Sequence, residues 1–284
     1  MRLLTMCPVC NSDHLTIMHR FFLKQSYDVV RCSKCFLEFV NPFVLESGIK
    51  HSISTSSGYI KALKKGFDNV KKVAYVRASS RLSHYFNLMR VRPQRILEIG
   101  SATGWMVKAY NDMGVHCDGM EIDPKLVEFA QQHGITLFQK NICCIDPESM
   151  PKYDVVFSSQ TLEHITQPRI ALQNIRKLMQ LNGILHIDVP NAHSWGARLR
   201  RYYHGSFNWG VISLPNHQFG YHARTLSTLF EECGFETLQI LERPTNDKIF
   251  GQIILPSQLI SKFALKLTHL LGHGYLLIGL ARKS

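Results

Sequence analysis

From about residue 96 to the C-terminus, short apolar runs alternate with longer stretches in which apolar residues recur at helical spacing. Short apolar runs bounded by glycine, proline or asparagine read as buried strands, and the 3.6-residue rhythm reads as helix. The expected strands are 96–99, a segment within 115–122, 135–139, 153–158, 184–189, 235–241 and 275–281. Expected helices are 105–113 (closed by Gly114), 124–133 (opened by Asp123-Pro124 and ended by Gly134), about 168–180, 225–233 (capped by Gly234) and 257–271. Asn182-Gly183 is expected to turn the chain into the strand at 184. This alternation predicts an α/β fold with a Rossmann-like, mostly parallel sheet of seven strands. Upstream, 15–30 is mostly strand-like, 51–58 is a polar loop, and 59–89 is helical and basic, with Lys61, Lys64, Lys65, Lys71, Lys72, Arg77 and Arg81. The implied organisation is a small N-terminal unit over 1–44, a basic helical linker or cap over 45–92, and a main domain over 93–284 with an insertion at about 191–224.

Composition changes this picture in two ways. The formal net charge is +12 and the pI is near 9.4, which favours a polyanionic or phosphorylated partner: RNA, a nucleotide-linked substrate or an anionic membrane surface. The basic residues are not in blocks, so many of them could simply form a solvated face. The stretch 258–271 sets an apolar face against Lys262 and Lys266; it fits a membrane surface, but packing on the sheet is the expectation. No apolar run approaches the roughly 20 residues that cross a bilayer, and Cys7 and Cys10 arrive before a signal-peptide core could form. A cytoplasmic protein is expected.

The second change comes from cysteine. Cys7-Pro8-Val9-Cys10 and Cys32-Ser33-Lys34-Cys35 form paired CxxC turns. Each turn aims two thiolates at one ion, and two turns complete a tetrahedral site, so a structural zinc ribbon is expected with Cys7, Cys10, Cys32 and Cys35 as ligands. So short a segment buries little core, and metal binding would supply its folding energy. Four thiolates leave no open coordination position, which makes the metal structural. Cys117, Cys143, Cys144 and Cys233 fall outside the pattern.

The stretch ILEIGSATG (96–104) places a glycine-bearing turn at the carboxyl end of the first strand of the sheet. Its spacing is Gly100-xxx-Gly104, not the GxGxxG of a dinucleotide site. Glu98 would repel a pyrophosphate but suits an ammonium group. The second strand ends in GMEID, and Glu121 stands where an acid takes both hydroxyls of a ribose. A ribose, an ammonium and no phosphate describe S-adenosylmethionine (SAM).

Four segments in order, ILEIGSATG, GMEID, YDVVFSSQTLEHI (153–165) and LPNHQFGYHARTLSTLFEECGF (214–235), make 96–284 resemble a class I SAM-dependent methyltransferase of the ubiquinone-biosynthesis-like, methyltransferase type 23-like group. With the four-cysteine ribbon and helical linker in front, the chain also resembles the zinc-containing methyltransferases of nucleotide-activated deoxysugars. The larger sugar enzymes carry a further C-terminal domain that this sequence does not include. The resemblance implies that Glu98 orients the methionine amino group, that Gly100, Ala102 and Gly104 line the methionine side, and that Glu121 holds the ribose. It further implies that Ile122 packs on adenine, Asn141 and Ile142 sit at the adenine edge, Ser159 and Gln160 pass beside the methionine portion, and Tyr59 reaches over the cofactor. Ala102 replaces a common glycine and Asn141 a common aspartate; retained binding is expected, since asparagine still donates and accepts.

Methyl transfer needs alignment above all, and a base only if the acceptor loses a proton. His164, in LEHI after the fourth strand of the sheet, is the candidate base, because imidazole titrates near neutral pH. Glu163, His217 and His222 are the other catalytic candidates; a cap or salt-bridge role for Glu163, and helix-start hydrogen bonding for His164, stand beside these readings. Trp195, Tyr202, Tyr203, Phe207 and Trp209 suggest a lid over a flat or apolar acceptor, or simply pack the insertion, and Arg198, Arg200 and Arg201 could grip a phosphate. The expected acceptor is a small molecule, phosphorylated or nucleotide-linked, such as a surface-polysaccharide sugar. An RNA base methyltransferase with the ribbon as RNA module is the alternative; the segment SSQTLEHI lacks the Asn/Asp-Pro-Pro-aromatic signature that such enzymes often carry. A non-catalytic zinc-ribbon binding protein on a degenerate fold is the third reading.

Overall fold

The computed structural model describes residues 3–22, 26–43, 67–203, 208–214, 217–243 and 274–284. Tyr59, Phe207 and the expected helix at 257–271 lie outside the described residues.

A seven-stranded sheet organises the chain. Its strands are β4 (Arg95–Ile99), β5 (His116–Glu121), β6 (Phe138–Gln139), β7 (Tyr153–Ser159), β8 (Met179–Pro190), β12 (Phe235–Arg243) and β13 (Leu276–Lys283), in the order β12-β13-β8-β7-β4-β5-β6. The five strands from β8 to β6 run parallel, and β13 is antiparallel to both neighbours. Side chains alternate between two cores, as a period of two requires. Leu97, Val156 and Leu185 face one core, while Ile96, Val155, Phe157 and Ile184 face the other. Burial on both faces explains why the central strands read as continuous apolar runs.

Helices cover both faces: Phe67–Met89, Trp105–Asp112, Pro124–Gln132, Pro168–Leu178 and Ala223–Glu232. The Pro124 helix begins as expected, with Asp123 accepting from Lys125 N at 2.9 Å. Two local expectations change. Asn182-Gly183 is no turn before a new strand; it is a bulge inside β8, with Asn182 at φ 62. Tyr153 pairs with Met179 and Val155 with Ile184, so the extra residues of β8 loop out without ending the strand. The third strand shrinks to two residues because β6 lies at the sheet edge and pairs only with Met120 and Glu121.

The ribbon consists of β1 (Leu15–Phe22), β2 (Ser26–Cys32) and β3 (Glu38–Asn41) in antiparallel pairing. The insertion after β8 carries a helix (Trp195–Tyr203), the antiparallel pair β9 (Asn208–Trp209) and β10 (Ile212–Ser213), and β11 (Phe219–Gly220), which is the fourth strand of the ribbon sheet. The ribbon also shares its apolar interior with the main sheet: the four cysteines, Leu37, Phe39 and Phe43 belong to the same buried cluster as Phe219, Tyr221, Leu226 and Phe230.

Candidate functional site

Strand order reverses between β7 and β4, and a parallel sheet places its ligand crevice at the carboxyl ends flanking such a point. Gly100 (φ 76) and Gly104 (φ 74) are left-handed, as is Ala102 at φ 48. A Cβ on Gly100 would fall 2.1 Å from Thr161 Oγ1, so the loops after β4 and β7 touch there and only glycine fits. Ala102 holds a conformation that disfavours any side chain.

Two carboxyl groups flank this turn. Glu98 is 6% exposed, and its Oε2 is buried without a hydrogen-bond partner. Burial pushes the Glu98 carboxyl up to about 8; the Arg81 charge pulls it down and Glu121 adds to the rise. An orphaned buried carboxyl at this position fits an incoming ammonium group. Glu121 is tied down: Oε2 accepts Ala102 N at 2.8 Å, and Oε1 accepts Ile122 N and Asp123 N at 2.8 and 3.0 Å. It braces the glycine turn while keeping lone-pair capacity for a ribose hydroxyl. Ile122 is partly exposed beside it. Asn141 caps the short turn Ile142–Cys144 through Oδ1, which accepts Cys143 N at 3.0 Å, and Ile142 is buried behind it. Ser159 donates to Asp188 Oδ2 at 3.0 Å, and exposed Gln160 (φ 55) closes the rim.

Three of the four catalytic candidates come together after β7. Ligand-type atoms of Glu163, His164 and His217 all lie within 4.8 Å of one another. The His164 and His217 rings meet edge-on at 4.7 Å. Burial, then the charges of His164 and Arg200, push His217 down to about 4 against the pull of the Val211 carbonyl, so its imidazole is neutral. Glu163 is fully buried; burial raises its carboxyl to about 8, with its own backbone N–H opposing the rise and the Asp188 charge adding to it. His222 goes elsewhere. It caps the Ala223 helix and faces the ribbon, with Nε2 3.7 Å from Glu38 Oε1. Of the insertion residues, Arg201 is committed to Glu38, while Arg198 meets His193 and Arg200 lies over Tyr275.

Sequence reasoning missed the group that braces this rim from below. Asp188, at the end of β8, receives Arg81 Nη2 at 2.5 Å, His186 Nε2 at 2.7 Å and the Ser159 hydroxyl. Tyr85 OH completes the chain at 2.8 Å from His186 Nδ1. Burial opposes the Asp188 charge, but the His186 hydrogen bond and the Arg81 charge outweigh it and hold the carboxyl at about 2. An acid closing an apolar strand in HIDVP was the available signal; nothing local marked Arg81.

In the ribbon, the four cysteine sulfurs lie within 4.8 Å of one another, with Cys7–Cys35 and Cys10–Cys32 at 3.5 Å. A tetrahedral zinc–thiolate site has edges of about 3.8 Å. Both knuckles repeat one geometry: Asn11 N and Phe36 N return to Cys7 O and Cys32 O at 3.0 Å, and Asn11 and Phe36 are both left-handed. Donor set, reach and burial fit zinc.

Comparison with known proteins agrees with this geometry. Residues 72–240 match the family described as methyltransferase domain. The ubiquinone biosynthesis O-methyltransferase of Haemophilus ducreyi is 24% identical over 108 residues, 34% of this chain and 46% of that protein; the match thus spans about half the length of the curated relative. A SAM-dependent methyltransferase from Archaeoglobus fulgidus superposes with a TM-score of 0.55 at 18% identity, covering 79% of this chain and 99% of that one. The 1,6-didemethyltoxoflavin-N1-methyltransferase of Burkholderia thailandensis, solved with 1,6-didemethyltoxoflavin and S-adenosylhomocysteine, gives 0.54 at 14% identity, with 94% and 100% covered. The fold is that of SAM-dependent methyltransferases. Matched over more than half of its length, the chain belongs to the methyltransferase domain family.

Proposed function

We propose that the protein is a SAM-dependent methyltransferase of a small-molecule acceptor, with a structural zinc in its ribbon. The observation that carries this reading is the convergence of Glu163, His164 and His217 at the turn after β7, where Thr161 packs against Gly100 of the glycine turn. When bound, SAM would supply an electrophilic sulfonium methyl, with a neutral thioether as the leaving group. Glu98 takes the ammonium, Glu121 the ribose, and Ile122, Asn141 and Ile142 the adenine edge, while Gly100, Ala102 and Gly104 keep the backbone close. Ser159 and Gln160 flank the methionine portion. His164 accepts the acceptor's proton. His217, neutral beside it, adds no competing positive charge when His164 takes that proton, and Glu163 stays protonated behind the pair.

In this reading the ribbon is not an RNA module. Its β3 edge is occupied by β11, and its knuckles are clamped to the main domain by Arg169 Nη1 on Val9 O at 3.0 Å and Thr225 Oγ1 on Cys35 O at 2.7 Å. Those contacts favour a small acceptor; the net charge and Arg198 and Arg200 favour one bearing phosphate, such as a nucleotide-linked sugar. Residues 93–284 would form the transferase domain, 191–224 its lid and 45–92 a cap.

The test is transfer of labelled methyl from SAM into fractionated cell extract, with the product identified. Label in a small molecule is expected, and label in RNA would overturn the acceptor assignment. His164→Ala should cut turnover by ~10²–10⁴-fold with SAM affinity intact. Equal losses in both would place His164 in the framework rather than in the chemistry.

A further inference from the structure

His217 is carried by the insertion alone. Its backbone pairs with Ser213 in both directions, and its ring reaches back to the Val211 carbonyl and across to His164. The position of that ring therefore depends on what fixes the insertion.

The fixing contacts come from the ribbon. Immediately after His217, Gln218 O accepts Val40 N at 3.0 Å, and Phe219 and Gly220 pair with Phe39 and Glu38. Glu38 is fully buried, and its carboxylate joins both ends of the insertion. Arg201 Nη2 donates to both Glu38 oxygens at 2.8 Å and to Ala192 O, at the entry, also at 2.8 Å. At the exit, His222 Nε2 stands 3.7 Å from Oε1. Arg31 holds the same carboxylate from within the ribbon, through Nε at 3.1 Å and through Nη2. Between entry and exit, Ala192 N donates to Tyr221 O at 2.9 Å and closes the neck. One buried carboxylate on a ribbon strand is thus the point where the ribbon, the insertion's entry and its exit meet.

We propose that Glu38 is a positioning residue: it locks the insertion to the ribbon and so holds the His217 ring edge-on against His164. This rests on the reading of the Glu163, His164 and His217 cluster as the acceptor side. The ribbon then serves as one wall of the acceptor site, through β3, and not only as a folding aid. Glu38 acts through Arg201 and the backbone of β11 and touches no reacting group.

Two variants of the full-length, metal-loaded protein test this. Glu38→Gln removes the charge that gathers the seam. Arg201→Lys keeps a positive charge but shortens the side chain whose terminal Nη2 reaches Glu38 and Ala192 together. The primary readout is the His217 ring titration by histidine-selective NMR, with no acceptor present. The groups facing that ring are His164 and Glu163 from the turn after β7 and Arg200 from the insertion helix. In the native protein His217 should stay neutral down to about pH 4. In both variants the ring should escape its buried place and titrate closer to the ordinary histidine value of 6.5. SAM affinity and thiol-bound metal should be unchanged. Once an acceptor is identified, turnover should fall by up to ~10²-fold, as for a small misplacement of a reacting group.

An unchanged His217 titration in folded, metal-replete variants would overturn the proposal. Loss of cooperative melting in both variants would assign Glu38 to folding instead, and overturns it equally. If the titration shifts while the native protein transfers no methyl group, the positioning role stands and the functional reading falls.

Discussion

Replacing Glu98 by glutamine removes a proton-binding group from beneath the glycine turn while keeping its shape. In the ligand-free protein the carboxyl sits near 8, so at about pH 7 roughly nine molecules in ten carry it protonated. A ligand that presents an ammonium group there selects the carboxylate. Binding of SAM to the native protein should then release close to one proton per site near pH 7. Proton release is read by calorimetry in two buffers of different ionisation enthalpy. Affinity should rise about tenfold from about pH 7 to about pH 9 relative to Glu98→Gln, whose affinity lacks this term. The ligand's own titration is common to both proteins and cancels in the ratio. Once ionised, the carboxylate contributes a charge-assisted bond of about 1.5–3 kcal/mol, so the variant should bind ~10–150-fold more weakly at the upper pH. Stability should move the opposite way. A carboxyl whose folded value is raised binds more protons folded than unfolded, so stability falls as pH climbs from 4.5 toward about 8. The native protein should lose up to about 5 kcal/mol relative to the variant across that window, measured by denaturant unfolding. A native-to-variant affinity ratio that is flat with pH, with no extra proton release and a flat stability difference, would refute the assignment of Glu98 to the ammonium group.

Ala102→Gly relieves a left-handed alanine at φ 48 and should stabilise the protein by up to about 1 kcal/mol, seen as a higher melting temperature with SAM affinity equal or better. Asp188→Asn leaves Arg81 buried without its counter-charge and should cost about 3–5 kcal/mol in denaturant unfolding. In the native protein the Asp188 contribution is complete above 3.8 and fades as pH falls through about 2, so the gap between native and Asp188→Asn should close in acid.

Much of the fold was legible because its signals are local. Apolar runs such as YDVVF, the Asp123-Pro124 helix start and glycines at helix ends report conformations fixed within a few residues. The glycine turn and Glu98 were legible for the same reason, being contiguous in sequence, and Glu121 because it closes the very next strand. The CxxC pairs were legible because each turn is short and the sulfurs need only one shared ion. The bulge at Asn182-Gly183 was not, since the same dipeptide makes a turn or a bulge depending on which neighbour β8 pairs with.

The sequence by itself determined the strand-and-helix alternation, the thiolate set, the glycine turn with Glu98 and Glu121, and the nomination of His164, Glu163 and His217. Only the tertiary structure decided that those three meet while His222 turns to the ribbon, that Arg81, Asp188, His186 and Tyr85 form one buried chain, and that β11 completes the ribbon sheet. The reason is separation along the chain. Arg81 and Asp188 lie 107 residues apart, and Glu38 and Arg201 lie 163 apart. Such pairs leave no mark on local spacing. They are selected when burial strips water from a charge and only a partner brought in by the fold can replace it.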